Sequence, residues 1–270
     1  MRLIITLLLV ICCLTSFEQP PFVYSKDFKA VLEKTKDKTS DLYYQKLLIR
    51  FLNNDSSLTR AETLALMIGF TEQRQYKPFK DLGKEQEIFD MNESGDYEGA
   101  LDESKIYLQT HPVSLRILKE RSYAYHQLRK KDSADYFMNM VEKVMGAMIY
   151  SGKGKTPETA IFSLGLIDGE HFINNVGMTP ANKTTTSPKS KVLMYIVDAL
   201  SDEGTHTDYY FILQHARDKI DEDEIGEEPV VKHKKPKKED KKKDKKDKGA
   251  KAVTDSIPPP STDSIPLPNK

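Results

Sequence analysis

From residue 28 onward the apolar positions recur at helical spacing. Phe28, Val31, Leu32 and Thr35 fall at i, i+3, i+4 and i+7, one face of a short amphipathic helix. Tyr44, Leu47, Leu48 and Phe51 share the face of a second, with Ser40 as its expected cap and Asn53-Asn54-Asp55 as its stop. A third starts at Thr59, whose partner Glu62 stands three residues on, the spacing of a capping box. Its face is Ala61, Leu64, Ala65 and Ile68, and Gly69 is expected to end it. Residues 71–83 read as a loop.

The pattern then repeats. In 81–114, Gly95-Asp96-Tyr97 separates two helical segments, the second carrying Tyr97, Ala100, Leu101, Ser104, Tyr107 and Leu108 and closing at His111-Pro112. In 115–148, Leu118, Ser122 and Tyr125 fill a first helix, and Ala134, Met138 and Val141 a second. Ala134 follows Ala100 by 34 residues, the period of the tetratricopeptide repeat, which the pair resembles. The first helices depart from that template, because Lys84 stands where a large aromatic is usual. A further helix is expected over Pro157–Asn174, and 176–191 reads as a polar loop. At 192 the period changes. VLMYIVDAL and DYYFILQHA are rich in β-branched and aromatic residues around a turn with Gly204, which predicts a β-hairpin over 191–216 packed on the helices. The expected fold is therefore mostly α, helical hairpins with a C-terminal β-hairpin, followed by a disordered tail.

Composition adds the ends. Met1-Arg2 and the 12-residue apolar run 3–14 have the layout of a secretory signal, too short to span a bilayer. The expected division is a signal over 1–25, a helical domain over 26–220 and a tail over 221–270. The chain is expected to be exported to the periplasm or outer cell surface. Both cysteines, Cys12 and Cys13, lie in the signal, so a cleaved chain has no thiol; a lipidated cysteine is the lesser alternative, since Ile11 is not the small residue such sites want. Net charge is zero but segregated. Residues 218–228 carry seven acids and one lysine; residues 232–251 carry twelve lysines, four acids and no arginine. Such a tail suits loose binding of anionic polymers, without base readout or stacking.

Chemical motifs are few. SGKGKTPET (151–159) holds Gly154-Lys155-Thr156, the end of a phosphate loop, but the first glycine of that motif should stand at 149, which is Ile149. Gly152 and Gly154 read better as helix breakers, with Thr156 capping a helix that has Pro157 first. No nucleotide or other cofactor is expected. The six histidines include no His-Glu-x-x-His and no i, i+4 pair, and no Gly-x-Ser-x-Gly elbow occurs. No catalytic or metal-binding set is expected, and the protein is read as a non-enzyme. The tyrosines Tyr43, Tyr44, Tyr76, Tyr97 and Tyr125 are the candidate partner-binding residues, suited by their polar tips to peptide recognition or, alternatively, to filling the interior.

The stretches YYQKLLIRFLNNDSSLT (43–59), IGFTEQRQYKP (68–78) and SGKGKTPETA (151–160) carry a resemblance. Over most of 26–217 the chain is similar to secreted proteins of Bacteroidota that carry the domain of unknown function numbered 4919. That resemblance implies no activity, substrate or catalytic residue, and the lysine-rich tail lies outside it. The expected function is a non-enzymatic module binding a peptide or protein partner in the cell envelope. The alternatives are an envelope hydrolase, built on polar residues such as His126, His171 or Asp198, and an electrostatic anchor working through the tail.

Overall fold

The computed structural model describes residues 22–186 and 192–226. The signal expected at the N-terminus and the tail beyond 226 lie outside the described residues. All described residues belong to one compact unit. Among them are nine α-helices: α1 (Tyr24–Lys36), α2 (Tyr44–Leu52), α3 (Arg60–Phe70), α4 (Leu82–Glu93), α5 (Tyr97–Thr110), α6 (Leu115–Gln127), α7 (Lys131–Ser151), α8 (Leu166–Asn175) and α9 (Gln214–Gly226). A four-stranded sheet completes the unit: β1 (Ile161–Phe162), β2 (Thr179–Thr186), β3 (Met194–Leu200) and β4 (His206–Ile212).

Helix α3 is the axis. Thr59 accepts a hydrogen bond from Glu62 N while Glu62 accepts one from Thr59 N, the capping box expected from the sequence. Every residue from Thr63 to Phe70 is buried, because α1, α2 and α7 all pack against it. Gly69 does not end this helix. It lies within the last turn, where an added Cβ would come 2.9 Å from Tyr44 Cδ2 and 3.0 Å from Thr35, so it is the place where neighbouring helices close in. Ser40 is likewise not the cap of α2; its hydroxyl accepts from Leu42 N in the turn before, and Tyr43 occupies the cap position. Helices α4 to α7 form two consecutive hairpins, with α6 packed on α4, α5 and α7. Ala100 and Ala134 are both buried, and Ala134 O accepts from Ser122 Oγ of α6.

The sheet holds the main departures from expectation. Residues 157–174 are not one helix. Pro157–Thr159 make a single 3-10 turn, Ile161-Phe162 form β1, and α8 starts only at Leu166. Ile161 and Phe162 pair in parallel with Phe211 and Ile212, so the apolar run serves a buried strand. The 176–191 loop contains a strand too. Thr179–Thr186 pairs antiparallel with β3 through backbone bonds, with an irregularity between Pro180 and Asn182. It is an edge strand whose residues are nearly all exposed, so it leaves no apolar alternation to read. The sheet order is β1-β4-β3-β2. The predicted hairpin is β3–β4, closed by Gly204 at φ +78°, but its second arm stops at Ile212 and α9 begins at Gln214. Tyr195, Val197, Ala199 and Phe211 face the main core, where α8 packs on the sheet.

His215, in the first turn of α9, is 5 % exposed inside an aromatic cage. Its ring centroid lies 4.6 Å from Phe162, 5.7 Å from Phe28, 6.0 Å from Tyr24 and 6.2 Å from Tyr76. Nε2 finds no hydrogen-bond partner. Burial pushes this imidazole down to about 3, and the nearby Ser163 backbone offsets only part of that.

Candidate functional site

Tyr76 also lines a small cleft, where the start of α4, the α5–α6 turn and the residues before α8 converge. Tyr76 is 2 % exposed, and its hydroxyl donates to Leu164 O at 2.5 Å, tying the 71–81 turn to the sheet half of the molecule. The turn also delivers Asp81, which accepts from Lys77 N at 3.1 Å and stands at the cap position of α4. One turn on, Glu85 points inward. It lies on the stripe that contains Ile88 and Asn92, all three buried.

Glu85 is a hub. Its Oε1 accepts from Tyr107 Oη at 3.0 Å and from Ser114 Oγ at 2.8 Å, which fastens α4 to α5 and to the cap of α6. Burial raises its carboxyl above the usual range, and the two hydroxyl donors oppose that without cancelling it. Asp168, three residues after the cap of α8, accepts from Leu164 N at 2.8 Å and Gly165 N at 3.0 Å, both at Oδ2. Burial, followed by the charge on Glu85, pushes it up to about 7 in spite of these two bonds. Both acids are thus held above the usual carboxylate range, each chiefly by its burial.

His111 closes the rim. Nε2 lies 2.9 Å from Gln75 O and 3.1 Å from Asp81 Oδ2, and Nδ1 lies 2.8 Å from Thr110 Oγ1. Thr110 Oγ1 also lies 3.1 Å from Tyr107 O, so its hydroxyl bridges the end of α5 to the His111 ring. Burial works to lower its affinity for the proton, but the Asp81 carboxylate and the Gln75 carbonyl outweigh it and raise it. The cleft these groups enclose has a volume of about 40 Å³, and its remaining walls include Phe70, Leu82, Leu164 and Ile167. That is room for about three water-sized groups.

The candidate tyrosines are dispersed. Tyr76 lines the cleft. Tyr44 is buried beneath α3, and Tyr43 is half-buried at the entry to α2. Tyr97 meets Tyr123 edge-on at 6.1 Å, and Tyr125 stacks on Phe137 at 5.7 Å under Arg121. His126, His171 and Asp198 stand on α6, α8 and β3. His126 is exposed; His171 is half-buried, its ring pushed down to about 3 by burial and then by Lys119 and Arg116; Asp198 is bonded to His206 at 2.9 Å and to Asn182. In SGKGKTPET, Gly154 (φ +69°) donates to Thr159 O at 2.7 Å, and Lys155 Nζ sits 3.6 Å over the Tyr209 ring. A Cβ on Gly152 would meet backbone at 2.5 Å, so these glycines serve close packing. Among the described residues no three His, Cys, Asp or Glu side chains gather closely enough to hold a metal ion, and no helix is long and apolar enough to cross a membrane.

Sequence reasoning passed over Glu85 and Asp168. The signals were present: Glu85 precedes Ile88 by one helical turn, and Asp168 follows Gly165 at the spacing of a capping acid. A family model described as "Domain of unknown function (DUF4919)" matches residues 29–222. No curated protein and no solved structure matches the chain.

Proposed function

The chain belongs to the DUF4919 family, and from the geometry of its cleft we propose that it is a non-enzymatic module of a bacterial envelope that binds a peptide or protein segment. The carrying observation is the size and lining of the cleft. Its 40 Å³ is far below the roughly 300–1,000 Å³ of a site that encloses a small-molecule substrate. It fits the end of one side chain, with the rest of the segment lying outside. The two consecutive hairpins α4–α7, spaced like a tetratricopeptide pair, supply the adjoining helical surface. Export rests on the charged start and apolar run of residues 1–14.

The test is a pull-down from envelope extracts at low and high salt. The baits are the full chain and a full-length variant with every lysine of 232–251 replaced by glutamine. Retention of the same partner by both baits at high salt is expected. Loss of all partners with salt, or in the glutamine variant, would assign binding to the tail and overturn the module reading.

A further inference from the structure

Two acids buried together at one cleft call for a counter-charge. Glu85 is 8 % exposed and Asp168 7 %. Each spends one oxygen on protein donors, Glu85 Oε1 on two hydroxyls and Asp168 Oδ2 on two backbone N–H groups. Among the described residues neither Glu85 Oε2 nor Asp168 Oδ1 accepts a hydrogen bond, and both residues line the cleft. A carboxylate oxygen has about two lone-pair sites, so both oxygens retain unspent capacity beside open space.

The charged groups around the pair do not fill this need. Asp81 and His111 are committed to each other at 3.1 Å. Arg116, on α6, pulls on Glu85 but gives its NH2 to Gln86 Oε1 at 2.8 Å and sets its guanidinium over Phe89. Tyr76 and Tyr107 donate their protons to Leu164 O and to Glu85. What remains at the cleft is the unspent capacity of two carboxyl oxygens.

We propose that the cleft binds one primary alkylammonium group, seated between Glu85 Oε2 and Asp168 Oδ1. The proposal rests on the binding-module reading and names the chemistry of its anchor. The volume admits an ammonium head and its adjoining methylene, and Phe70, Leu82 and Ile167 give an apolar wall for the stem. Binding also changes the proton balance. The incoming N–H groups favour the ionised form of both acids, so the proton that Asp168 holds at neutral pH leaves to solvent as the ammonium enters.

The experiment uses the full-length protein with its aspartate and glutamate carboxyl carbons labelled for NMR. Nα-acetyl-lysine N-methylamide and butane-1,4-diamine are titrated in separately, with the Nε-acetylated lysine derivative as the uncharged control. Saturable binding of an amine is expected, with the Asp168 titration midpoint lowered by about one pH unit or more. The tighter of the two amines identifies the source, a lysine side chain or a free amine. Glu85→Gln should weaken binding about tenfold or more. Its amide oxygen can still accept from Tyr107 and Ser114, so the fold is retained. Equal binding of the acetylated control, or an Asp168 midpoint that stays put at saturating amine, overturns the proposal. Amine binding with no protein retained in the pull-down would sink the module reading alone. A retained protein with an unmoved Asp168 would sink the ammonium reading alone.

Discussion

The Asp168 cleft and the His215 cage share Tyr76, and burial disfavours the charged form of a titratable group in each. The cage is packed shut: four rings surround an imidazole whose Nε2 bonds to nothing. The cleft is open: its acids keep unspent oxygens beside a cavity. Burial alone therefore does not mark a site. Unspent bonding capacity next to open space separates the cleft from the cage, and only the cleft has both.

The largest effect should come from breaking the cage. Phe162 is fully buried, lies closest to the His215 ring and belongs to the two-residue strand β1. Phe162→Ala should cost about 3–5 kcal/mol in chemical denaturation, through lost burial plus the cavity left behind. A loss below about 1 kcal/mol would show that the cage is not close-packed.

The comparison sharpens with pH, because the two groups respond with opposite sign. His215 has a folded value of about 3 against an ordinary 6.5. Below pH 6.5 the unfolded chain takes up a proton that the folded one refuses, so stability falls as the pH drops from 6.5 toward 3. Asp168 has a folded value of about 7 against an ordinary 3.8. Above pH 3.8 the unfolded chain releases a proton that the folded one keeps, so stability falls as the pH rises from 3.8 toward 7. Each contributes about 1.4 kcal/mol per pH unit within its window, and the two oppose each other between about pH 4 and 6.5, roughly 3 kcal/mol apiece. Relative to the unaltered protein, His215→Phe should tilt the stability profile toward falling with rising pH across that range, and Asp168→Asn should tilt it the opposite way, with His171 unchanged in both. Denaturation midpoints at half-unit pH steps would show it. Parallel curves for the two variants would refute the assignment of the charge states.

The same contrast explains what could be read in advance. Helices α1, α2, α3 and α5 to α7 follow from apolar spacing because each buries one face or, for α3, nearly all of itself. The capping box at Thr59 and Glu62 is local and stands as written in the sequence. The cage could not be read, since it joins Tyr24 and Phe28 of α1 to Tyr76, Phe162 and His215 from three other segments. Strand β2 was hidden by its polarity: TPANKTTT pairs through its backbone and buries almost nothing. β1 was hidden by its length, two residues inside a run that also suits a helix. The acids of the cleft were the nearest miss. Glu85 sits on the apolar stripe of α4, and an acid at a stripe position should have drawn attention to its partners.

The smallest expected effect compares two phenols, one at the cleft and one in the cage. Tyr107 donates to Glu85 at 3.0 Å, in a buried setting where the acceptor is a carboxylate. Tyr107→Phe keeps the ring and its 4.3 Å stack on His111 but removes one of two donors at Glu85 Oε1. The loss should be about 1–2 kcal/mol. The Glu85 carboxyl should also rise further, since a bond favouring its ionised form is gone. Tyr24, on the cage side, reaches His215 Nδ1 only at 3.5 Å, the outer limit of a hydrogen bond. Tyr24→Phe should therefore change stability by less than about 0.5 kcal/mol. Urea denaturation of both variants at pH 7 measures the difference directly. If Tyr24→Phe cost more than Tyr107→Phe, the polar contact would matter more in the cage than in the cleft, and the distinction between a packed group and a poised one would fail.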